Sequence, residues 1–197
     1  DDTYGGDTNG DGSLSVPRAR DWFGVRISAG ADNSSFDHAI FRYGGKYYNG
    51  QSQDRSNLSI KNTSGVRVTN STFEYSEVYG LLLASSTSTI QSNIFQFNNA
   101  PGDGSSSGMT MGQDHSTVIS NTFSHNTRGL SISNSPTTVS SNTFSDNSAE
   151  AVYSAGLLAA FTNNTALGNR INGISIFDVI TKSGATTTMY ADTIPYV

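Results

Sequence analysis

Short apolar runs recur along the chain in a fixed frame of hydrophobic and polar positions. An asparagine lies three residues after Val118, a phenylalanine five after it and a second asparagine eight after it, before the alternating run that begins at Gly129. Copies of this frame start at Val68, Ile90, Val118, Val139 and Phe161, which are 22, 28, 21 and 22 residues apart. An earlier copy begins at Phe36 and Phe41, and the end of the copy before that is Trp22, Val25 and Ile27. The frame predicts a ladder of similar units.

Each unit is predicted to be a set of short β-strands. Apolar residues alternate over two or three positions and then stop at Asn, Ser or Gly, which is typical of strands and not of helices. A unit of about 22 residues cannot enclose a core alone, but stacked units can. The frame therefore predicts a parallel solenoid with equivalent residues about 4.8 Å apart. Its internal aromatic stack is predicted to contain Phe73, Phe95, Phe123 and Phe144.

Asparagines recur at the predicted corners between strands. They are Asn93, Asn121, Asn142 and Asn164. Asparagine tolerates left-handed backbone and can hydrogen-bond its neighbours in a column. We therefore expect these residues to form a structural ladder and not a ligand site.

The frame resembles the right-handed parallel β-helix repeat proteins of bacteria over essentially the whole chain. The segments DDTYGGDTNGDGSLSVPRARDWFGVRI, FDHAIFRYGG and TTTMYADTIPYV are similar to parts of a large secreted β-helix module. The resemblance implies an all-β, right-handed parallel β-helix forming a single domain over residues 1–197, as part of a longer chain. We expect an N-terminal loop at 1–21, rungs over 22–180 and a C-terminal strand or linker at 181–197. Proteins of this fold include lyases, hydrolases, tailspikes, adhesins and carbohydrate-binding modules, so the fold alone leaves function open.

Composition narrows the possible partners. Charged residues are 14% of the chain, with 11 Lys and Arg against 16 Asp and Glu and no basic cluster, which argues against nucleic acid and anionic membranes. No apolar run approaches the roughly 20 residues of a membrane span. The chain has no cysteine, so thiol chemistry and disulfides are excluded. We expect a monomer at an extracellular or cell-surface location, attached to other domains of the same polypeptide.

The segment GDTNGDG has the alternating oxygen ligands of a calcium loop. Asp7, Asn9 and Asp11 are two residues apart and precede Gly12. The position where an EF-hand-type loop carries glutamate is Arg18, so Asp21 is expected to complete the shell. The sequence thus predicts a structural Ca²⁺ in the N-terminal loop. The alternative is an Asp/Asn/Gly turn without metal.

The sequence motifs that would indicate catalysis are missing or incomplete. Polysaccharide lyases of this fold combine calcium with an Arg or Lys base, yet no Lys or Arg occurs between Val68 and Thr127, and the Gly-His-Gly of pectin hydrolases is absent. Asp37-His38 and Asp114-His115 are adjacent pairs, but neighbours within a strand point to opposite faces. We therefore expect no catalytic residues. A polysaccharide lyase or hydrolase remains the enzymatic alternative.

An aromatic column is the strongest candidate for ligand binding. Seven residues after successive repeat starts come Tyr43, Tyr75, Phe97 and His125, preceded by the polar residues Arg42, Glu74 and Gln96. Insertions at residues 44–57 and 99–108 leave the ladder soon after this column, and the first carries Tyr47 and Tyr48. Sugar rings pack on aromatic faces while nearby polar groups bond their hydroxyls. Rings stacked on one another would instead expose only their edges and seal the core.

Two functional hypotheses follow. The first is a non-catalytic carbohydrate-binding module that recognises a polysaccharide, such as a plant cell-wall xylan or pectin, through the aromatic column with Tyr47 and Tyr48. The second is a structural stalk or adhesin segment that uses the stacked rungs for rigidity. They differ in whether the aromatic faces of the column are exposed to a ligand or covered by one another.

Overall fold

The computed structural model describes residues 10–12, 14–47, 54–99, 104–156, 159–177 and 193–197. In these ranges the regular structure is nineteen short β-strands in three sheets. Sheet A contains β1 (Val25–Ile27), β4 (Ser56–Lys61), β7 (Tyr79–Ala84), β10 (Ser107–Gly112), β13 (Arg128–Ser133), β16 (Glu150–Ala155) and β19 (Ile171–Phe177). Sheet B contains β2 (Ser35–Asp37), β5 (Ser64–Thr69), β8 (Thr87–Gln91), β11 (Thr117–Ile119), β14 (Thr138–Ser140) and β17 (Ala160–Thr162). Sheet C contains β3 (Ile40–Arg42), β6 (Thr72–Glu74), β9 (Ile94–Gln96), β12 (Thr122–Ser124), β15 (Thr143–Ser145) and β18 (Thr165–Leu167).

The chain visits the three sheets in the order A, B, C and then repeats. Each strand pairs in parallel with the strand three places earlier and three places later. This is a right-handed parallel β-helix, as the resemblance implied. The predicted repeat starts are in register on sheet B, where the paired column is Phe36, Val68, Ile90, Val118, Val139 and Phe161. Trp22 lies before β1 and outside any strand.

The predicted phenylalanine stack forms the centre of the core. Consecutive ring centroids from Phe41 through Phe73, Phe95 and Phe123 to Phe144 are 4.9, 4.9, 4.8 and 5.0 Å apart. The ring planes lie within 12° of parallel, so the spacing between rungs sets the spacing between rings. All but Phe41 are fully buried. The stack is confirmed.

An asparagine ladder connects the turns between sheets B and C, which we call the B–C corner. The side-chain nitrogens of Asn93, Asn121 and Asn142 donate to the side-chain oxygen of the next asparagine at 3.0, 3.1 and 3.0 Å, and the column ends at Asn164. Each nitrogen also donates to a backbone carbonyl of the preceding rung, for example Asn93 to Val68 at 2.9 Å. The ladder was predicted correctly. Our reason for it was partly wrong, because the left-handed residue is the one before each asparagine.

A second ladder, which the sequence analysis did not single out, lies between sheets C and A at the C–A corner. It contains Asn98, Asn126, Asn147 and Asn169. Two asparagines from sheet A complete it. Asn57 accepts from Gly44 N at 2.8 Å near one end, and Asn172 accepts from Asn169 N at 2.8 Å near the other. All the amides of the ladder itself are buried, and the column joins successive rungs.

This second ladder explains the glycine near the start of several sheet A strands. A Cβ on Gly108 would lie 2.9 Å from Gly129 O, 3.0 Å from Asn126 Nδ2 and 3.0 Å from Phe95 Cβ. Gly80 is confined in the same way by the carbonyl of the next rung and the amide of Asn98. The recurrent glycine therefore makes room for the amide column and reflects packing, with no demand for a positive φ.

Removing one amide from the C–A ladder should destabilise the fold. Asn126→Ala deletes the acceptor of Asn98 N and the donor to Phe95 O, both buried. We expect the free energy of unfolding to fall by at least about 2 kcal/mol, measured by urea denaturation. Thr138→Ala, at an exposed position on sheet B, is the control. Equal stability of the two variants would contradict a structural role for the ladder.

Two glycines of the same strand should respond differently to a methyl group. Gly108→Ala places a Cβ against backbone and ladder atoms, and should cost about 1–3 kcal/mol of unfolding free energy. Gly112→Ala meets no atom within 4 Å and should change stability by less than about 0.5 kcal/mol. Thermal or urea unfolding of both variants provides the comparison. A tolerated Gly108→Ala would show that the ladder is not tightly packed.

Candidate functional site

The four column residues Tyr43, Tyr75, Phe97 and His125 follow sheet C strands at the C–A corner. Each has φ between +52 and +62°, so the chain leaves the strand in a left-handed conformation and turns the side chain out of the core. The same position carries Asp146 in the next rung and Gly168 in the one after, also with positive φ. Side chains that tolerate this corner therefore line up because the fold repeats.

The faces of the aromatic column are covered. The ring centroids of Tyr43 and Tyr75 are 5.4 Å apart, those of Tyr75 and Phe97 5.3 Å, and those of Phe97 and His125 5.0 Å. The Arg42 guanidinium lies 4.6 Å from the centre of the Tyr43 ring and donates to its hydroxyl at 2.8 Å. Tyr75 is 36% exposed although its two neighbours stack on it. The column thus presents ring edges and hydroxyls to solvent.

The polar residues beside the column bond one another from rung to rung. Glu74 lies between Arg42 and Gln96 in register on sheet C. Its carboxylate is 3.3 Å from Arg42 Nε and accepts from Gln96 Nε2 at 2.8 Å. Glu74 is buried at 5% exposure, so its charge is compensated within the trio. Tyr47 is 48% exposed, and Tyr48 lies outside the described residues.

Both insertions connect a strand of sheet C to a strand of sheet A, at the C–A corner. One joins β3 to β4 and the other joins β9 to β10, so both lead to the start of a sheet A strand on the edge that the aromatic column borders. The shared position agrees with the sequence expectation. The outer face of sheet A adjoins this corner and is therefore next to both insertions.

A shallow groove of about 310 Å³ lies on this face. Its lining includes Tyr79, Leu82, Thr110, Ser133 and Lys61. Leu82 is only 7% exposed and forms an apolar floor, while the hydroxyls of Thr110 and Ser133 and the ammonium of Lys61 are polar groups at the surface. An apolar floor with surrounding hydroxyls suits the two sides of a sugar ring.

A second aromatic residue lies further along the same face. Tyr153 is in register with Ser131, Thr110 and Leu82. Arg128 lies 4.1 Å from the centre of its ring, and Arg128 Nε is 3.0 Å from a Glu150 carboxylate oxygen. Sequence analysis missed Tyr79 and Tyr153. Aligning the sheet A strands would have placed Tyr79 in the column of Ser107 and Arg128, and Tyr153 in the column of Thr110 and Ser131.

The Asp37-His38 pair differs from expectation. His38 Nδ1 lies 2.9 Å from Asp37 Oδ2, although we expected neighbouring side chains to point apart. The reason is that β2 ends at Asp37 and His38 adopts φ +53°, which brings its ring to the same side. The Asp114-His115 pair does separate, with Asp114 fully buried and His115 exposed.

The environments of Asp37 and Asp114 shift their ionisation in opposite directions. Hydrogen bonds from Thr69, Asn70 and His38 lower the pKa of Asp37 from its ordinary 3.8 to about 2. Burial raises the pKa of Asp114 against the hydrogen bonds that it accepts from Ser116 and Ser86. Asp37 therefore contributes stability that is lost as pH falls from about 4 toward 2, whereas Asp114 favours the folded state most at low pH.

A known protein family matches most of the chain. The family described as "Periplasmic copper-binding protein (NosD)" matches residues 28–188, which is most of the chain. No curated protein and no solved structure matches the chain. The periplasmic location of the family agrees with the location outside the cytoplasm expected from the sequence. In the described part of the chain, no helix has the length and apolar character needed to cross a membrane.

The prediction of a calcium site is wrong. The matching family is described as copper-binding, and no group of three or more His, Cys, Asp or Glu side chains converges among the described residues. Asp11 accepts from the Ser15 hydroxyl, and Asp21 accepts from Arg18 N at 2.8 Å within its own turn. Asp7 and Asn9 lie outside the described residues. The described part of this loop is therefore organised by local hydrogen bonds.

The described side chains do not fit a copper site either. His38, His115 and His125 follow strands of sheets B, A and C respectively, so they lie at three different corners. The chain has no cysteine. Met109 and Met111 are sealed in the core at 0% and 1% exposure, in positions that Leu81 and Leu83 occupy one rung earlier. Their packing explains them without a metal.

Thr69 should control the ionisation of Asp37. Thr69→Ala removes the hydrogen bond that lowers this pKa most, so the carboxyl should titrate closer to 3.8, measured by ¹³C NMR of the Asp37 carboxyl. The loss of stability between pH 4 and pH 2 should become smaller, because folded and unfolded pKa values would then lie closer together. Thr162→Ala, in the same outward column of sheet B, is the control. An unchanged Asp37 titration in Thr69→Ala would refute the assignment.

Proposed function

The chain belongs to the NosD family, and from this premise we propose that it is a non-catalytic periplasmic binding protein that holds a neutral polysaccharide on the outer face of sheet A. The observation that carries the proposal is the groove of about 310 Å³ beside Tyr79, next to the corner where both insertions enter. The proposed polysaccharide binding does not involve copper.

The length of the face supports an extended ligand. Tyr79 is on β7 and Tyr153 on β16, three rungs further along sheet A. At the usual strand spacing three rungs correspond to about 14 Å, the length of a short oligosaccharide. Thr110 and Ser131 lie in the intervening rungs and offer hydroxyls along this path. Arg128 and Phe177 pack on the Tyr153 ring, so Tyr153 would contact a sugar chain through its edge and hydroxyl, with Tyr79 near the other end and the polar groups between them.

Charge pairing supports a neutral ligand. Asp54 contacts both Lys61 and Arg26 on the face, and Glu150 pairs with Arg128 beside Tyr153. The sheet A cations Lys61, Arg26 and Arg128 therefore each contact a carboxylate, so none of these three cations is left to pair with an anionic ligand. A plant cell-wall polysaccharide such as xylan is the ligand class that we propose.

In this proposal the aromatic column forms one edge of the binding face on sheet A. Its ring edges and the Tyr47 and Tyr48 side chains of the first insertion would contact the polysaccharide at the C–A corner, with Arg42, Glu74 and Gln96 behind them. Because the ring faces cover one another, the column supplies hydrogen bonds and van der Waals contact instead of face-on stacking.

A structural role is the second candidate. The stacked rings of the column, 5.0 to 5.4 Å apart, together with the two amide ladders, join every rung to the next and favour a rigid scaffold or stalk. In that case the protein would retain no polysaccharide, and its partners would be other proteins of the cell envelope.

Affinity gel electrophoresis with xylan and other neutral polysaccharides tests the proposal. The double variant Tyr79→Ala, Tyr153→Ala should bind about tenfold more weakly than wild type, because it loses both aromatic surfaces. The triple variant Tyr47→Ala, Tyr48→Ala, Tyr75→Ala should weaken retention at the edge that the aromatic column forms. Leu167→Ala removes a side chain that is 77% exposed on sheet C and should bind normally. Absence of retention by any neutral polysaccharide would reject glycan binding on sheet A and favour the scaffold.

A further inference from the structure

A separate groove lies on the outer face of sheet B. It measures about 410 Å³ and crosses β2, β5 and β8 with the adjoining B–C corner. Its lining residues are Ser35, Asp37, Arg67, Thr69, Asn70, Gln91 and Ser92. All of these side chains are polar and two are charged. The volume suits a small ligand of one or two rings that is recognised by hydrogen bonds.

Asp37 is held rigidly at one side of this groove. Its Oδ1 accepts from Thr69 Oγ1 at 2.7 Å and from Asn70 Nδ2 at 2.8 Å, and its Oδ2 contacts His38 Nδ1 at 2.9 Å. A carboxylate has about four acceptor positions, so Asp37 retains capacity for one more donor. Donors from two rungs therefore preorganise an acceptor at the surface.

Arg67 is the cation of this groove, and it forms no ion pair with a carboxylate among the described residues. It is exposed and lies between Ser35 and Thr89 in register on sheet B. Arg20, Arg26, Arg42, Arg55 and Arg128 each have a carboxylate partner. Arg67 has none within ion-pair distance among the described residues. Its guanidinium is therefore free to bind a planar carboxylate through two parallel hydrogen bonds.

The contrast with sheet A identifies the ligand class. The cations Arg26, Lys61 and Arg128 on sheet A each contact a carboxylate, whereas Arg67 in the sheet B groove has no carboxylate partner among the described residues and lies beside fixed hydrogen-bonding groups. We propose that this groove binds a carboxylated sugar, such as a hexuronic acid unit of an acidic glycan. Arg67 pairs with the sugar carboxylate, Asp37 accepts from a ring hydroxyl, and Gln91 and Asn70 offer further polar contacts. This site goes beyond the proposed function, since it uses a different face and a ligand of different charge.

NMR titration with D-galacturonate and D-galactose, which differ in the C6 carboxylate, tests the proposal directly. Galacturonate should shift the backbone signals of residues 35–37, 67–70 and 91–92 and bind more tightly than galactose. Arg67→Gln should weaken galacturonate binding about tenfold, because it removes the charged bidentate contact, and should leave galactose unchanged. Arg170→Gln, at another exposed arginine, is the matched control and should bind as wild type.

Three results would overturn the proposal. They are equal affinity of wild type and Arg67→Gln for galacturonate, equal affinity of wild type for the two sugars, and no saturable shift at millimolar galacturonate. The sheet A variant Tyr79→Ala, Tyr153→Ala separates the two sites. It should keep galacturonate binding, and Arg67→Gln should keep retention by neutral polysaccharides. Absence of binding at one site would therefore not prevent the measurement of binding at the other.

Discussion

The buried amide ladders are the interaction on which this β-helix depends. A three-sided solenoid must turn sharply between strands as short as three residues, and each turn interrupts the backbone hydrogen bonding of the sheets. Buried N–H and C=O groups at such corners need partners, since water cannot reach them. Asparagine meets the requirement because its side-chain oxygen accepts from a backbone N–H and its nitrogen donates both to a carbonyl and to the next amide. Asn126 makes all of these bonds at the C–A corner.

The corners also decide which side chains reach solvent. One left-handed residue begins each turn from sheet B to C and from sheet C to A, and at the B–C corner a buried asparagine follows it directly, as at Ser92-Asn93 and Ser120-Asn121. The left-handed residue points away from the core, so the sequence is free to vary there. The result is an aromatic column at the C–A corner and, at the B–C corner, the hydrogen-bonding residues His38 and Asn70 that hold Asp37. The turns that the ladders stabilise therefore also determine where these exposed side chains lie.

The two outer faces differ in how their charges are used. On sheet A, Arg128 forms an ion pair with Glu150 and lies over the Tyr153 ring, and Asp54 forms ion pairs with both Lys61 and Arg26. On sheet B, Arg67 remains available beside an organised Asp37. Membership of a family described as copper-binding does not by itself place a metal site on this chain, because its histidines lie at separate corners. A repeating scaffold can keep its ladders while its surface columns change.

The sequence by itself determined the architecture of this protein. The repeated Val, Asn, Phe, Asn and Gly positions predicted the parallel rungs, the phenylalanine stack and the B–C ladder, because a solenoid repeats the same local requirements in every turn. It also aligned Tyr43, Tyr75, Phe97 and His125 correctly in one column. These features depend on spacing, which is visible in the chain.

Only the tertiary structure decided which surfaces are available to a ligand. Ring faces at the C–A corner are covered because the spacing between rungs equals that of stacked rings, and no property of a single tyrosine reveals this. Asp37 and His38 meet because a left-handed turn overrides strand alternation. The exposed Arg67 has no carboxylate partner among the described residues, because the neighbouring rungs place Ser35 and Thr89 beside it. The calcium prediction was wrong: a local oxygen-rich motif indicates possible ligands, but the family is described as copper-binding, and no group of three or more His, Cys, Asp or Glu side chains converges among the described residues.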